Sequence, residues 1–103
     1  MKTGQKLAVL MTSIGVNLQT AIKDHEEPEK LLPPIDAFNS YDDFDDLGKL
    51  CLAKMSSNMA SDCAKLALMM ALIEDPNSEV FAMVSSLFDQ AANLIMDDLG
   101  IPA

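Results

Sequence analysis

Apolar residues recur along this chain at the 3.6-residue period of an α-helix in three separate stretches. The longest stretch covers residues 40–74, where one apolar stripe keeps the same helical phase throughout. Its members are Phe44, Cys51, Leu52, Met55, Met59, Cys63, Leu66, Met69, Met70 and Ile73. This pattern predicts a central helix over residues 40–74. We expect Ser40 to be its N-cap, with aspartates in the first turn, where the helix dipole favours carboxylates.

A shorter stripe predicts a helix at each end of the chain. The first predicted helix covers residues 3–24, with Val9 and Val16 on its polar side as a candidate second contact seam. The last covers residues 78–99 and has the most regular stripe. Gly100 follows it, and we expect that glycine to end the helix in the left-handed conformation.

The segment between the first two helices, residues 25–39, is acidic and rich in proline, so it is predicted to be a connector. Its apolar residues favour a position against the helices. The central helix has one weak region, from Ser56 to Asn58, where poor helix formers could divide it in two.

Beyond that region the predicted central helix is apolar on nearly every side. Leu68 and Leu72 lie opposite the main stripe, so no single neighbouring helix can cover all of this surface. The sequence therefore predicts an all-α fold. We expect a small helical bundle of three long helices, or four if the central helix breaks, completed by dimerisation.

Composition and charge narrow the range of functions. The chain has 103 residues, enough for one domain, and its net charge is −9. It contains lysine but no arginine, which argues against direct nucleic-acid binding and against binding to anionic membranes. The longest apolar run, Leu66 to Ile73, is far shorter than the roughly 20 residues that span a bilayer. The two cysteines, Cys51 and Cys63, are too far apart on one helix to form a disulfide with each other. Unpaired thiols favour a reducing, cytoplasmic location.

Recognisable reaction chemistry is not found in the sequence. The single histidine, His25, has neither a nucleophile nor a metal-binding partner at a suitable spacing. Asp43 and Asp45 resemble the start of a calcium loop, but Leu47 and Lys54 occupy two of the ligand positions that would follow. We therefore expect no enzymatic activity, no cofactor and no metal.

These observations favour a non-enzymatic helical protein–protein interaction module. It would self-associate as a homodimer and bind another protein through an apolar face with an acidic rim. The alternative is an acidic inhibitor or decoy of the phage or immunity type, which would block the cationic groove of a nucleic-acid-processing enzyme. The candidate interaction residues are Val9, Val16, Leu68, Leu72, Met83 and Met96. The candidate acidic patch comprises Asp42, Asp43, Asp45, Asp46, Asp89 and Asp97.

Overall fold

A computed structural model describes residues 1–23 and 35–102 of the chain. Three α-helices and one 3₁₀ segment make up this part: α1 (Thr3–Ile22), the 3₁₀ segment (Ile35–Asp43), α2 (Asp46–Leu72) and α3 (Ser78–Asp98). The predicted all-α helical bundle is confirmed. Histidine 25 and most of the predicted connector lie outside the described residues.

The helix on which the others pack is α3, since both α1 and α2 contact it extensively. A short turn joins α2 to α3 as an antiparallel hairpin, and the Asn77 side chain in that turn donates a 3.0 Å hydrogen bond to the Ala21 carbonyl at the end of α1. The expectation that residues 40–74 form the central helix is therefore wrong, because α2 lies on one side of α3. It does continue without a break through Ser56 to Asn58.

Small residues of α2 form its contact with α3. Ala53, Ser56, Ala60 and Ala67 are buried there, and the Ser56 hydroxyl donates a 2.6 Å hydrogen bond to the Phe88 carbonyl. Because these side chains are short, the two helix backbones approach closely. Half of the predicted stripe is also covered: Leu52 is buried, and four residues are partly buried against the core, namely Met55, Met59, Cys63 and Met70. Five members of that stripe are exposed, which corrects part of the predicted orientation of the helix: Phe44, Cys51, Leu66, Met69 and Ile73.

The core lies where the inner faces of the three helices meet the 3₁₀ segment. Phe38 and Tyr41 are the buried residues of the 3₁₀ segment, and both are only 1% exposed. The largest side chains that complete the fully buried core come from α1 and α3: Leu7, Ile14, Leu18, Val84, Phe88 and Ile95.

Helix α2 begins later than predicted. Asp45 is its N-cap, and its carboxylate accepts a 2.8 Å hydrogen bond from the backbone N–H of Gly48. Ser40 instead lies inside the 3₁₀ segment at a kink, with φ −100° and ψ 17°. Asp42 and Asp43 belong to that segment too, so they are not in the first turn of α2. Burial of the Phe38 and Tyr41 rings explains why the chain turns here before the helix starts.

Candidate interaction surface

Five large apolar side chains near the C-terminal end of α2 are exposed to solvent. They are Leu66 (40% exposed), Leu68 (65%), Met69 (60%), Leu72 (78%) and Ile73 (74%). We call these five residues the α2 apolar patch. Contiguous apolar patches larger than a few hundred Å² are rare on monomeric soluble proteins, and those rimmed by polar groups typically mark interaction sites.

The patch is exposed because α2 extends past the start of α3. Hydrogen bonds pair Ser56 with Phe88 and Ser85 with Ala60 across the hairpin. Continuing that antiparallel register places Leu66 opposite the first residues of α3. The residues of α2 that follow Leu66 therefore have less of α3 beside them, and only the inward-facing members, such as Ala67, remain buried.

Charged residues border the patch on both sides along the chain. Lys65 precedes it and is exposed, and Glu74 and Asp75 follow it. Glu74 adopts φ +58°, the only positive φ of a non-glycine residue in the described part of the chain. Its backbone N–H donates to the Ala71 carbonyl and that of Asp75 donates to the Met70 carbonyl, which is the hydrogen-bond pattern of a Schellman motif. Glutamate thus occupies a position where glycine is usual.

The sequence-predicted interaction residues do not form one surface. Leu68 and Leu72 belong to the α2 apolar patch. Val9 and Val16 lie on α1 and are 60% and 59% exposed. Val9 borders an open groove of about 380 Å³ between α1 and α3. Val16 borders a different groove, between α1 and the 3₁₀ segment. Met83 and Met96 lie on α3, where Met83 is exposed and Met96 is half-buried against the core.

Sequence reasoning missed three members of the patch, Leu66, Met69 and Ile73, because it assigned them to the buried stripe. The sequence does contain a signal for the observed orientation, which is the helical spacing of four small residues: Ala53, Ser56, Ala60 and Ala67. Small residues at helical spacing allow close helix packing, but they contribute little to a pattern judged by hydrophobicity alone.

The predicted acidic residues are all exposed and occupy separate parts of the surface. Asp42, Asp43, Asp45 and Asp46 lie around the start of α2, whereas Asp89 and Asp97 lie on α3. The groove that Asp97 borders also contains Lys6, and the groove that Asp89 borders contains Lys54. Negative charge is therefore interspersed with lysine.

A polar cluster ties together the end of the bundle where α2 starts and α3 ends. The Tyr41 hydroxyl donates a hydrogen bond to Asp98, and the ammonium of Lys49 lies 4.9 Å from the centre of the Tyr41 ring. Burial, together with the Asp98 charge, raises the pKa of Tyr41. The hydrogen bond from Tyr41 lowers the pKa of Asp98, with smaller contributions from Thr3 and Lys49. These shifts favour a protonated Tyr41 and an ionised Asp98, which are the forms that the hydrogen bond requires.

The two cysteines of α2 occupy different environments. Cys51 is exposed, whereas Cys63 is half-buried, and burial followed by the nearby Asp62 charge raises the pKa of its thiol. A raised pKa leaves less of the reactive thiolate at neutral pH. Within residues 1–23 and 35–102, no three side chains among His, Cys, Asp and Glu converge as metal ligands would.

None of the helices in the described residues carries an apolar stretch long enough to cross a membrane. Comparison with protein-family models, with characterised proteins and with solved structures found no match to this chain.

Proposed function

We propose that this chain is a non-enzymatic helical module that binds protein, including a second copy of itself, through the α2 apolar patch. The observation that carries the proposal is the exposure of five large apolar side chains at one end of α2. Burying apolar surface is the main favourable contribution to most protein association, at about 25 cal/mol per Å². Contact with a second protein removes this surface from water.

The size of the patch bears on the strength of that association. Standard stable interfaces bury about 800 Å² on each partner, and single exposed patches on monomers measure a few hundred Å². Contact through the patch alone is therefore at the small end of specific interfaces. We expect a reversible equilibrium between monomer and dimer, with the dimer favoured as protein concentration rises.

The alternative of an acidic decoy has less support from the geometry. Its candidate acids are divided between the start of α2 and two places on α3, with lysines between them. A mimic of nucleic acid requires closely spaced negative charges along one face, since duplex DNA carries one charge per about 1.7 Å of its axis.

Light scattering coupled to size-exclusion chromatography over a range of concentrations tests the proposal. The decisive variant is Leu68→Glu combined with Leu72→Glu, which places two charges in the patch. The matched variant, Val9→Glu combined with Val16→Glu, changes two equally exposed apolar residues on α1. We expect the wild-type protein and the α1 variant to dimerise and the α2 variant to remain monomeric, with circular dichroism showing the same helix content in all three.

A wild-type protein of 11.2 kDa that stays monomeric at every concentration and captures no partner would overturn the proposal. Loss of the dimer in the α1 variant alone would assign the interaction to Val9 and Val16 instead. Equal loss in both double variants would point to a general effect of added negative charge on a chain that already carries −9.

A further inference from the structure

We infer that the second copy docks on the α2 apolar patch in an antiparallel orientation, so that Lys65 of each copy faces Glu74 of the other. This inference rests on the proposed function and adds to it the orientation and register of the contact. Two-fold dimers are the commonest oligomers, and the same patch then serves both copies. The patch must therefore be complementary to itself when it is turned end to end.

The order of residues along α2 satisfies that requirement. A two-fold axis that passes midway along the patch places Leu66 of one copy opposite Ile73 of the other. The same axis places Lys65 opposite Glu74, because these two residues immediately precede and follow the patch. One rotation thus brings apolar residues together and sets opposite charges against each other twice.

A rival register would use the whole length of α2. Leu47 and Leu50 are 70% and 40% exposed near the start of the helix, and antiparallel pairing along the full helix would cover them. That register, with Leu47 opposite Leu72, also sets Lys54 against Lys65 and Asp45 against Glu74. Like charges placed together in an interface suppress association. The charge pattern therefore favours the short register centred on the patch.

A parallel arrangement is disfavoured for the same reason. Parallel two-fold pairing sets Lys65 against Lys65 and Glu74 against Glu74. Of the three arrangements, the antiparallel register centred on the patch is the one that sets Lys65 against Glu74.

The backbone at Glu74 supports a role for its side chain. Its φ of +58° lies in the left-handed region, where glycine is the favoured residue. Non-glycine residues held in this region cluster at functional sites. Glycine at this position would end α2 with less strain but would leave Lys65 without an opposite charge in the dimer.

Charge reversal tests the register. Lys65→Glu and Glu74→Lys each place like charges together twice per dimer, so each should raise the dimer dissociation constant about 10-fold. The double variant restores opposite charges and should return to within about 2-fold of wild type. Lys54→Glu is the matched control: it has no opposing charge in the proposed register, but in the rival register it would relieve the contact with Lys65 and tighten the dimer.

Thiol crosslinking tests the orientation independently. In a background with Cys51→Ser and Cys63→Ala, Met69→Cys lies beside the proposed axis, and a short bismaleimide should link it to the same residue of the second copy. Leu47→Cys should remain unlinked. Efficient linking of Leu47→Cys mixed with Leu72→Cys would establish the rival register, and efficient linking of Leu47→Cys to itself would establish a parallel dimer.

The results separate the two proposals. A dimer that depends on Leu68 and Leu72 but is not restored by the double charge reversal retains the proposed function and overturns this geometry. A wild-type monomer that binds only other proteins overturns this geometry as well. A wild-type monomer that binds no protein overturns both.

Discussion

The hydroxyl of Tyr41 donates a 2.5 Å hydrogen bond to Oδ2 of Asp98, which connects the 3₁₀ segment to the last turn of α3. Tyr41 is only 1% exposed, while Asp98 is at the surface. A carboxylate near the C-terminal, negative end of a helix is unfavourable, and a donor aimed at it offsets that effect. This contact has measurable consequences because Tyr41 is the only tyrosine in the chain.

The ionisation of Tyr41 should be visible by ultraviolet absorbance and should coincide with alkaline unfolding. Its pKa in the folded protein is raised by burial and by Asp98, so the folded state binds the phenolic proton more tightly than the unfolded state does. This stabilisation is present below about pH 10, the ordinary tyrosine pKa, and is lost as pH rises towards the folded value. At pH 10 the native protein should show almost no phenolate absorbance, whereas protein in concentrated urea should be about half ionised. Half-ionisation near pH 10 with native circular dichroism would contradict the buried position of the ring.

The other partner in this contact predicts how stability changes in acid. The pKa of Asp98 is lowered by the hydrogen bond from Tyr41, so unfolding raises its proton affinity. The resulting stabilisation is present above the unfolded value of about 3.9 and is lost as pH falls through the folded value. Tyr41→Phe should lower the free energy of unfolding by about 1 kcal/mol at pH 7, because it removes this hydrogen bond. The loss is no larger because the exposed Asp98 carboxylate regains hydrogen bonds to water.

Urea denaturation of the wild-type protein and Tyr41→Phe at pH 7 and at pH 3 measures that effect. The difference between the two proteins should shrink in acid, where Asp98 takes up a proton. Asp97→Asn is the matched control, because Asp97 is exposed on the same turn of α3 and its carboxylate does not accept the Tyr41 hydrogen bond. A constant difference between wild type and Tyr41→Phe at both pH values would show that the hydroxyl acts independently of the Asp98 charge.

The helices of this protein could be predicted from sequence because their apolar residues follow a clear period. In α3, Phe81, Val84, Phe88 and Ile95 form a buried stripe as expected. The predicted left-handed glycine is also confirmed, since Gly100 has φ +71° and the Ile101 N–H donates to the Met96 carbonyl. Periodicity and capping residues act within one helix, so the sequence is sufficient to identify them.

The orientation of α2 and the composition of its patch depended on interactions between helices. The buried side of α2 includes small residues that permit close approach to α3, and one of them, Ser56, donates a hydrogen bond across the seam to the Phe88 carbonyl. Exposure of Leu66, Met69 and Ile73 follows from how far α2 extends beyond its partner. Hydrophobic periodicity contains no information about that register, so these residues were assigned to the core.

The two adjacent serines of α2, Ser56 and Ser57, should respond differently to the same substitution. Ser56 is 0% exposed and donates to the Phe88 carbonyl across the helix seam, whereas Ser57 is exposed. Ser56→Ala should lower the free energy of unfolding by about 1 kcal/mol, and Ser57→Ala should change it by less than about 0.5 kcal/mol. Ser56→Val should be more damaging, by about 1–3 kcal/mol, because added volume forces α2 and α3 apart. Urea midpoints for the three variants provide the test, and equal effects at Ser56 and Ser57 would contradict the close seam.

The ends of α2 and α3 permit a comparison of glutamate and glycine in the same backbone conformation. Both helices end in a Schellman motif, with Glu74 at φ +58° in one and Gly100 at φ +71° in the other. A left-handed conformation costs a residue with a side chain about 1 kcal/mol or more relative to glycine. Glu74→Gly should therefore raise the free energy of unfolding by about 1 kcal/mol, and Gly100→Ala should lower it by a similar amount. Among the described residues, no neighbouring atom lies within 4 Å of a Cβ placed at Gly100, so the loss there reports backbone strain. Thermal unfolding at low protein concentration, where the proposed dimer would not contribute, measures both effects, and a destabilised Glu74→Gly variant would show that the glutamate side chain stabilises the monomer.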